Sequence, residues 1–155
     1  MQTVNIVHEG YLVTTDKQKM YLDQIHQWLS EESYWAKHIP YKIVKGSFDN
    51  SFCIGIIKND EQVGYGRFIT DYTTFAYLAD VYVTEEHRGK GLAKLMMKTL
   101  MELDWVKKLR FMSLATKDAQ DLYRQFGFTE PLFPERIMQV RRPDIYGDQN
   151  NTTFS

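Results

Sequence analysis

Cysteine is nearly missing from this chain. Among 155 residues only Cys53 is present, so no intramolecular disulfide can form. It lies in the apolar run Phe52-Cys53-Ile54-Gly55-Ile56-Ile57 and reads as a packed core thiol rather than a nucleophile. Metal-ligand spacing is lacking too: His8, His26, His38 and His87 are scattered, and no metal site is expected. There is no apolar run of the roughly 18 residues needed to cross a bilayer. The opening MQTVNIVHEGYL lacks the basic segment and long apolar core of a secretory leader, so the expected location is the cytoplasm, away from any membrane. Nor is there an excess of positive charge. Nineteen Lys and Arg stand against twenty Asp and Glu, for a net charge of −1, which argues against a nucleic-acid partner while leaving room for a local basic pocket.

What is present is an ordinary globular composition, 43% hydrophobic and 25% charged. The length suits one domain over residues 1–146, followed by a polar, frayed tail over 147–155. No internal repeat or low-complexity segment interrupts it.

Taken in order, residues 4–14 read as a first strand in which Gly10 marks a bulge. Asp16 is placed to cap a helix whose Tyr21, Leu22, Ile25, Trp28 and Leu29 repeat at helical spacing. Residues 31–40 form a connector or short helix, rich in large side chains and ended by Pro40. Two strands follow over 51–58 and 62–70, joined by the polar turn Asn59-Asp60-Glu61. Gly64 and Gly66 mark a bend in the second of them or a close backbone approach. A fourth strand runs through Phe75, Tyr77, Leu78, Val81, Tyr82 and Val83. After it, Leu92, Met96, Leu100 and Leu103 recur as one buried helical stripe. Phe111-Met112-Ser113-Leu114 is a fifth strand, parallel to the fourth because a strand–helix–strand crossover returns in the same direction. Asp118 is the expected cap of a further helix carrying Ala119, Leu122, Tyr123 and Phe126 on one face, with Gly127 as its stop. Residues 137–140 read as a last strand, pairing with Phe128.

The chemistry gathers at Arg88-Gly89-Lys90-Gly91-Leu92-Ala93, between the fourth strand and its helix. Two glycines let the backbone approach a bulky anion, and a helix start presents unpaired N–H groups and a positive dipole end at the same place. Arg88 and Lys90 add charge. That is a pyrophosphate cradle. It is not a P-loop, since Gly91 follows Lys90 where a Ser or Thr would bind magnesium. Nor is it a dinucleotide fingerprint, which would need glycine at Lys94.

The hexapeptide fits R-x-x-G-x-A and resembles the acetyl-CoA signature of the GNAT superfamily of N-acetyltransferases. The second half of that resemblance is A-x-x-L-Y-x-x-F-G-F, from Ala119 to Phe128. The resemblance covers most of the chain in element order. It implies an α/β (α+β) fold: a mixed, largely antiparallel sheet of six or seven strands with about four helices, its parallel fourth and fifth strands splayed at the cofactor site. It implies acetyl-CoA as co-substrate, with backbone groups of Val81, Tyr82 and Val83 on the acetyl and pantetheine arm. The amides of Arg88, Gly89, Lys90, Gly91, Leu92 and Ala93 would hold the pyrophosphate. Thr116 and Asp118 stand where relatives touch the cofactor, although a carboxylate there would repel a polyanion.

The implied reaction is direct attack of a primary amine of a small molecule, amino acid or peptide on the thioester, through a tetrahedral intermediate. Tyr123 matches the family's general acid for the departing thiolate; it also sits on its helix's apolar stripe. Asp80 is placed for the base, or for a structural hydrogen bond to a loop. Tyr34 and Trp35 either cap the core beneath a loop or line the acceptor pocket. Members of the family pair through edge strands or helices, so a homodimer is consistent with the resemblance. The alternative to an enzyme is a non-catalytic acyl-CoA-binding module that keeps the cradle.

Overall fold

The computed structural model describes residues 2–147; the expected frayed tail lies, apart from Gly147, outside them. The first strand proves to be two. β1 (Asn5–His8) and β2 (Tyr11–Thr14) form an antiparallel hairpin, because Glu9 at φ 50° and Gly10 at φ 82° turn the chain back on itself. Gly10 makes a turn where a bulge was expected. Asp16 does cap, but what it caps is a short 3₁₀ turn over Lys17–Lys19, its carboxylate accepting from the Gln18 amide at 3.0 Å. Helix α1 (Leu22–Gln27) begins later and widens into a π turn over Trp28–Glu32. Pro40 ends the irregular connector and also opens a helix unread in the sequence, α2 (Tyr41–Asp49). A fixed φ suits proline to a helix start, and Val44 and Phe48 anchor α2 from one face.

β3 (Phe52–Lys58) and β4 (Glu61–Thr70) follow as a hairpin. Its turn residues Asn59 and Asp60 both have positive φ, which matches the right-handed twist of the flanking strands. β5 (Phe75–Val83) completes the meander. Helix α3 (Leu92–Met101) crosses the sheet, a single turn α4 (Asp104–Lys107) follows, and β6 (Phe111–Leu114) lies parallel to β5 as expected. A short α5 (Gln120–Arg124) ends near Gly127, whose φ of 92° only glycine adopts readily. The six strands run in sheet order β1 to β6, antiparallel except for the last pair.

Strand alternation sends successive side chains to opposite faces, and each face has its own core. Ile54, Ile56, Phe68 and Leu78 meet Leu92, Met96, Met97 and Leu100 of α3. Cys53, Tyr65 and Tyr82 point the other way, to Ile25, Trp28, Val44 and Phe48 of α1, its π turn and α2. Cys53 is a core thiol, its sulfur 3.3 Å from the Tyr65 hydroxyl, and burial pushes its pKa up. Two expectations near the end of the chain are corrected. The cap residue of α5 is Ala119, with the Thr116 hydroxyl accepting its amide at 3.1 Å, while Asp118 points to solvent. Residues 137–140 form no strand; Phe128 instead packs its ring against Tyr123, 6.1 Å between centroids.

Candidate active site

The site grows from the way β5 changes character along its length. From Phe75 to Leu78 it is paired on both sides, with β4 and, in register Phe75↔Phe111 to Leu78↔Leu114, with β6. β6 stops there while β5 runs on to Val83, so the sheet opens beyond Leu78. At the same point the β4–β5 register slips. Arg67 faces Ala79 and Tyr65 faces Tyr82, leaving Asp80 and Val81 opposite Gly66 alone. This is a β-bulge, with Asp80 at φ 57° taking the left-handed conformation it requires. A Cβ on Gly66 would meet the Ile54 and Val81 side chains at 3.5 Å and the Val81 backbone at 4.0 Å, while one on Gly64 would press on the Ile56 side chain at 3.3 Å, so the approach at these glycines is mainly of side chains.

The bulge is held by a polar network in which Asp80 makes the structural hydrogen bond to a loop that was one of its two readings, together with an Arg67 partner that the sequence did not point to. Arg67 Nε donates to Asp80 Oδ2 at 2.7 Å, and both side chains are largely buried. Trp35 Nε1 donates to Asp80 Oδ1 at 2.8 Å, and Arg67 also reaches the Ser51 hydroxyl at 2.9 Å. Both Asp80 oxygens are therefore engaged. Two strand residues on, the Tyr82 ring stacks on Trp28 at 5.0 Å and its hydroxyl donates to Glu32 Oε2 at 2.5 Å. Burial, then the Glu32 carboxylate, push its pKa up to about 12. The only sequence signals for these contacts were an Arg and an Asp inside otherwise apolar strands; Glu32 carried none.

Tyr34 and Trp35 do not sit in the core: they are 61% and 43% exposed, edge to face at 5.0 Å. Tyr123 lies within electrostatic reach of Tyr34 and is buried, which first of all, with Tyr34 second, raises its pKa to about 12. Asp80, Trp35, Tyr34 and Tyr123 thus gather about the open end of the sheet. Thr116 stands beside it, its hydroxyl oxygen accepting from the Ala119 amide just before α5.

The glycine corner has the shape its sequence suggests. Gly89 and Gly91 lie at φ 76° and 75°, a conformation for glycine, and a Cβ built on either meets nothing within 4 Å. The space is open where an anion would approach. No side chain caps α3, so its first amides face that space. Arg88 donates from Nε to the Val83 carbonyl at 2.9 Å, with its guanidinium 5.4 Å above the Tyr82 ring. His87 is tied to the Tyr11 hydroxyl at 2.8 Å, fastening the loop to β2. Lys90 is exposed, and Leu92 and Ala93 begin the helix with Leu92 buried. Cradle, open sheet edge and buried tyrosine together fit a pantetheine thioester carried on a pyrophosphate.

Residues 22–128 match the family model described as Acetyltransferase (GNAT) family. The chain belongs to the GNAT acetyltransferases. It is 34% identical over 139 residues to a candidate acetyltransferase of Gibberella zeae, covering 77% of this chain and 78% of that one. A solved GNAT-family candidate acetyltransferase from Xanthomonas campestris pv. campestris superposes with a TM-score of 0.86. It is 43% identical, over 89% of this chain and 97% of its own. A shorter match, 36% identical over 73 residues, is to the thialysine N-ε-acetyltransferase of Bos taurus; it spans 42% of this chain and 43% of that enzyme. These likenesses make the protein an acyltransferase of this family. No helix among the described residues is long and apolar enough to cross a membrane.

Proposed function

We propose that this GNAT protein is an acetyl-CoA-dependent N-acetyltransferase, moving an acetyl group to a primary amine of a small molecule, amino acid or peptide. The observation that carries the reading is the opening of the sheet beyond Leu78–Leu114, with the bulge at Asp80 beside it. A pantetheine arm laid in the gap can hydrogen-bond to β5 through Val81, Tyr82 and Val83, while the amides of residues 88–93 hold the pyrophosphate. The Val81 amide is the donor for the charge that develops on the carbonyl oxygen as the amine attacks.

Tyr123 serves the departing thiol. With a pKa of about 12 it is protonated at neutral pH. A free thiolate, pKa about 8.5, is the weaker base, so complete transfer from Tyr123 is uphill. The tyrosine therefore acts as a hydrogen-bond donor to the sulfur as the bond breaks, the amine's own proton making the final balance. Asp80, held through both oxygens, positions Trp35 and the bulge. Water leading to solvent takes the first proton, from the ammonium form of the acceptor before attack; the second, lost from nitrogen as the intermediate collapses, is the one that ends on the thiol.

The acceptor enters from the α1 face. A cleft of about 830 Å³ there is lined by Trp28, Tyr82 and five carboxylates, Glu32, Asp60, Glu61, Glu85 and Glu86, with Arg88 opposing them. That balance favours a cationic amine over an anionic one. A lysine-like acceptor agrees with the name of the bovine relative. CoA-thiol release from acetyl-CoA with a panel of amines, amino acids and short peptides tests the reading. Turnover is expected with diamines and lysine-like acceptors. No release from protein that binds acetyl-CoA would leave a binding module in its place.

A further inference from the structure

One amine of the chain itself stands at the open end of the sheet. β5 and β6 are paired in parallel as far as Leu78↔Leu114. Three residues further along each path are Val81 and Lys117, on opposite banks of the opening. Beyond Leu114 the chain leaves the sheet and bends at Lys117, which is exposed. Its side chain nevertheless has a fixed neighbour. Lys117 Nζ lies over the Tyr34 ring, 5.4 Å from its centroid, so the loop after β6 and the connector after the π turn meet across the mouth.

Tyr34 in turn belongs to the site. It meets Trp35 edge to face, and the Trp35 indole is bonded to Asp80 of the bulge. It also lies within electrostatic reach of Tyr123, the tyrosine that serves the departing thiol. Other lysines with specific contacts are engaged elsewhere: Lys45 with the Asp49 carboxylate, Lys17 over Phe48 and Lys58 over Tyr11. Among the described residues no carboxylate forms an ion pair with Lys117, so its nitrogen is held by a ring face alone.

We infer that, given acetyl-CoA as the donor proposed above, the protein acetylates its own Lys117. The side chain first loses its ammonium proton to water. The nitrogen lone pair then bonds to the acetyl carbon, with the Val81 amide on the carbonyl oxygen. As the intermediate collapses, the C–S bond breaks and its electron pair leaves on sulfur. The second nitrogen proton ends on the thiol. The products are an Nζ-acetyl-lysine and free CoA thiol, with nothing oxidised or reduced. An amine already held at the mouth needs no encounter from solution. The amide that results is uncharged, so the modification also removes the cation from the Tyr34 ring.

The test is incubation of the full chain with acetyl-CoA and no added amine, followed by intact mass and peptide mapping. Acetyl-CoA binding is measured in parallel by calorimetry. The expected result is one acetyl group per chain, on Lys117, at a rate per chain that is constant from about 1 to 100 µM protein. Lys117→Arg keeps a cation beside Tyr34 and should bind acetyl-CoA as the parent does, yet lose the stoichiometric acetylation. Tyr123→Phe should slow labelling roughly 10²-fold. Tyr34→Leu should slow it about fivefold, through loss of the ring that holds the amine. Acetyl-CoA bound with Lys117 left unmodified would overturn the inference and leave the proposed activity standing; no binding of acetyl-CoA would overturn both. Acetyl groups spread over the exposed lysines, at a rate that Tyr123→Phe does not change, would mean chemical acetylation and would overturn it. So would a rate per chain that rises with protein concentration, which would mean transfer between chains.

Discussion

The two halves of β5 make the instructive comparison. From Phe75 to Leu78 the strand is regular, paired on both sides, with Ala76 and Leu78 buried against the α3 face. From Ala79 to Val83 it is paired on one side only and bulged, with a left-handed Asp80 and polar ties to Arg67, Trp35 and Glu32. The first half is held by hydrophobic burial, which is non-directional and forgiving. The second is held by a few directional bonds that fail singly. A reaction site needs free backbone groups and shaped space, and the strand supplies them only where the ladder is broken.

The largest effect is expected where the irregular half is braced. Asp80→Asn leaves the buried Arg67 charge without its counter-ion and should cost about 3–5 kcal/mol in urea unfolding. A second change, Arg67→Met, should return part of that loss; no recovery would mean the pair does not brace the bulge. Leu78→Ala strikes the regular half. It should cost about 2–5 kcal/mol by the same measurement, yet leave turnover per folded molecule near the parent's.

Next comes Tyr123→Phe, which keeps the ring and its packing and removes only the hydroxyl. A fall of roughly 10²-fold in kcat with acetyl-CoA affinity retained, measured by thiol release and calorimetry, is expected; full activity would end the donor role. Alkaline pH offers a smaller, graded probe. Tyr82 and Tyr123 ionise near 12 when folded and near ~10 when unfolded. The unfolded chain therefore releases protons first. Stability should be complete below about pH 10 and fall between 10 and 12, by up to about 1.4 kcal/mol per pH unit for the buried Tyr123 and by less for Tyr82, whose hydroxyl borders the solvent-open cleft. Replacing Tyr123 with Phe should remove one share of that slope. The smallest effect is expected from Trp35→Phe, which loses one half-exposed hydrogen bond to Asp80 worth about 1 kcal/mol and should show as a loss of that size in urea unfolding with turnover retained.

Much of the site was legible before the fold was known. The glycine corner of residues 88–91 carries its own conformational reason, and the strand before it and the stripe after it declare their periods locally. Elements whose signal depends on partners were read less well. A turn and a bulge both call for positive φ at Gly10, and only the pairing of β1 with β2 separates the two. Helix α2 went unread because its buried face rests on only Val44 and Phe48. Residues 137–140 have strand composition but pair with no strand among the described residues, and β propensity describes fit to a neighbouring surface rather than a backbone preference.

The sequence by itself determined the local structure: a crossover that makes β5 and β6 parallel, a glycine corner of positive φ at a helix start, and a tyrosine on the stripe of α5. Only the tertiary structure decided which distant groups meet there. Trp35 and Asp80 stand 45 residues apart, Glu32 and Tyr82 fifty, and no spacing along a chain encodes such contacts. Backbone conformation follows from neighbours a few residues away, whereas a buried ion pair or a stacked ring exists only once the two faces of the sheet have been covered.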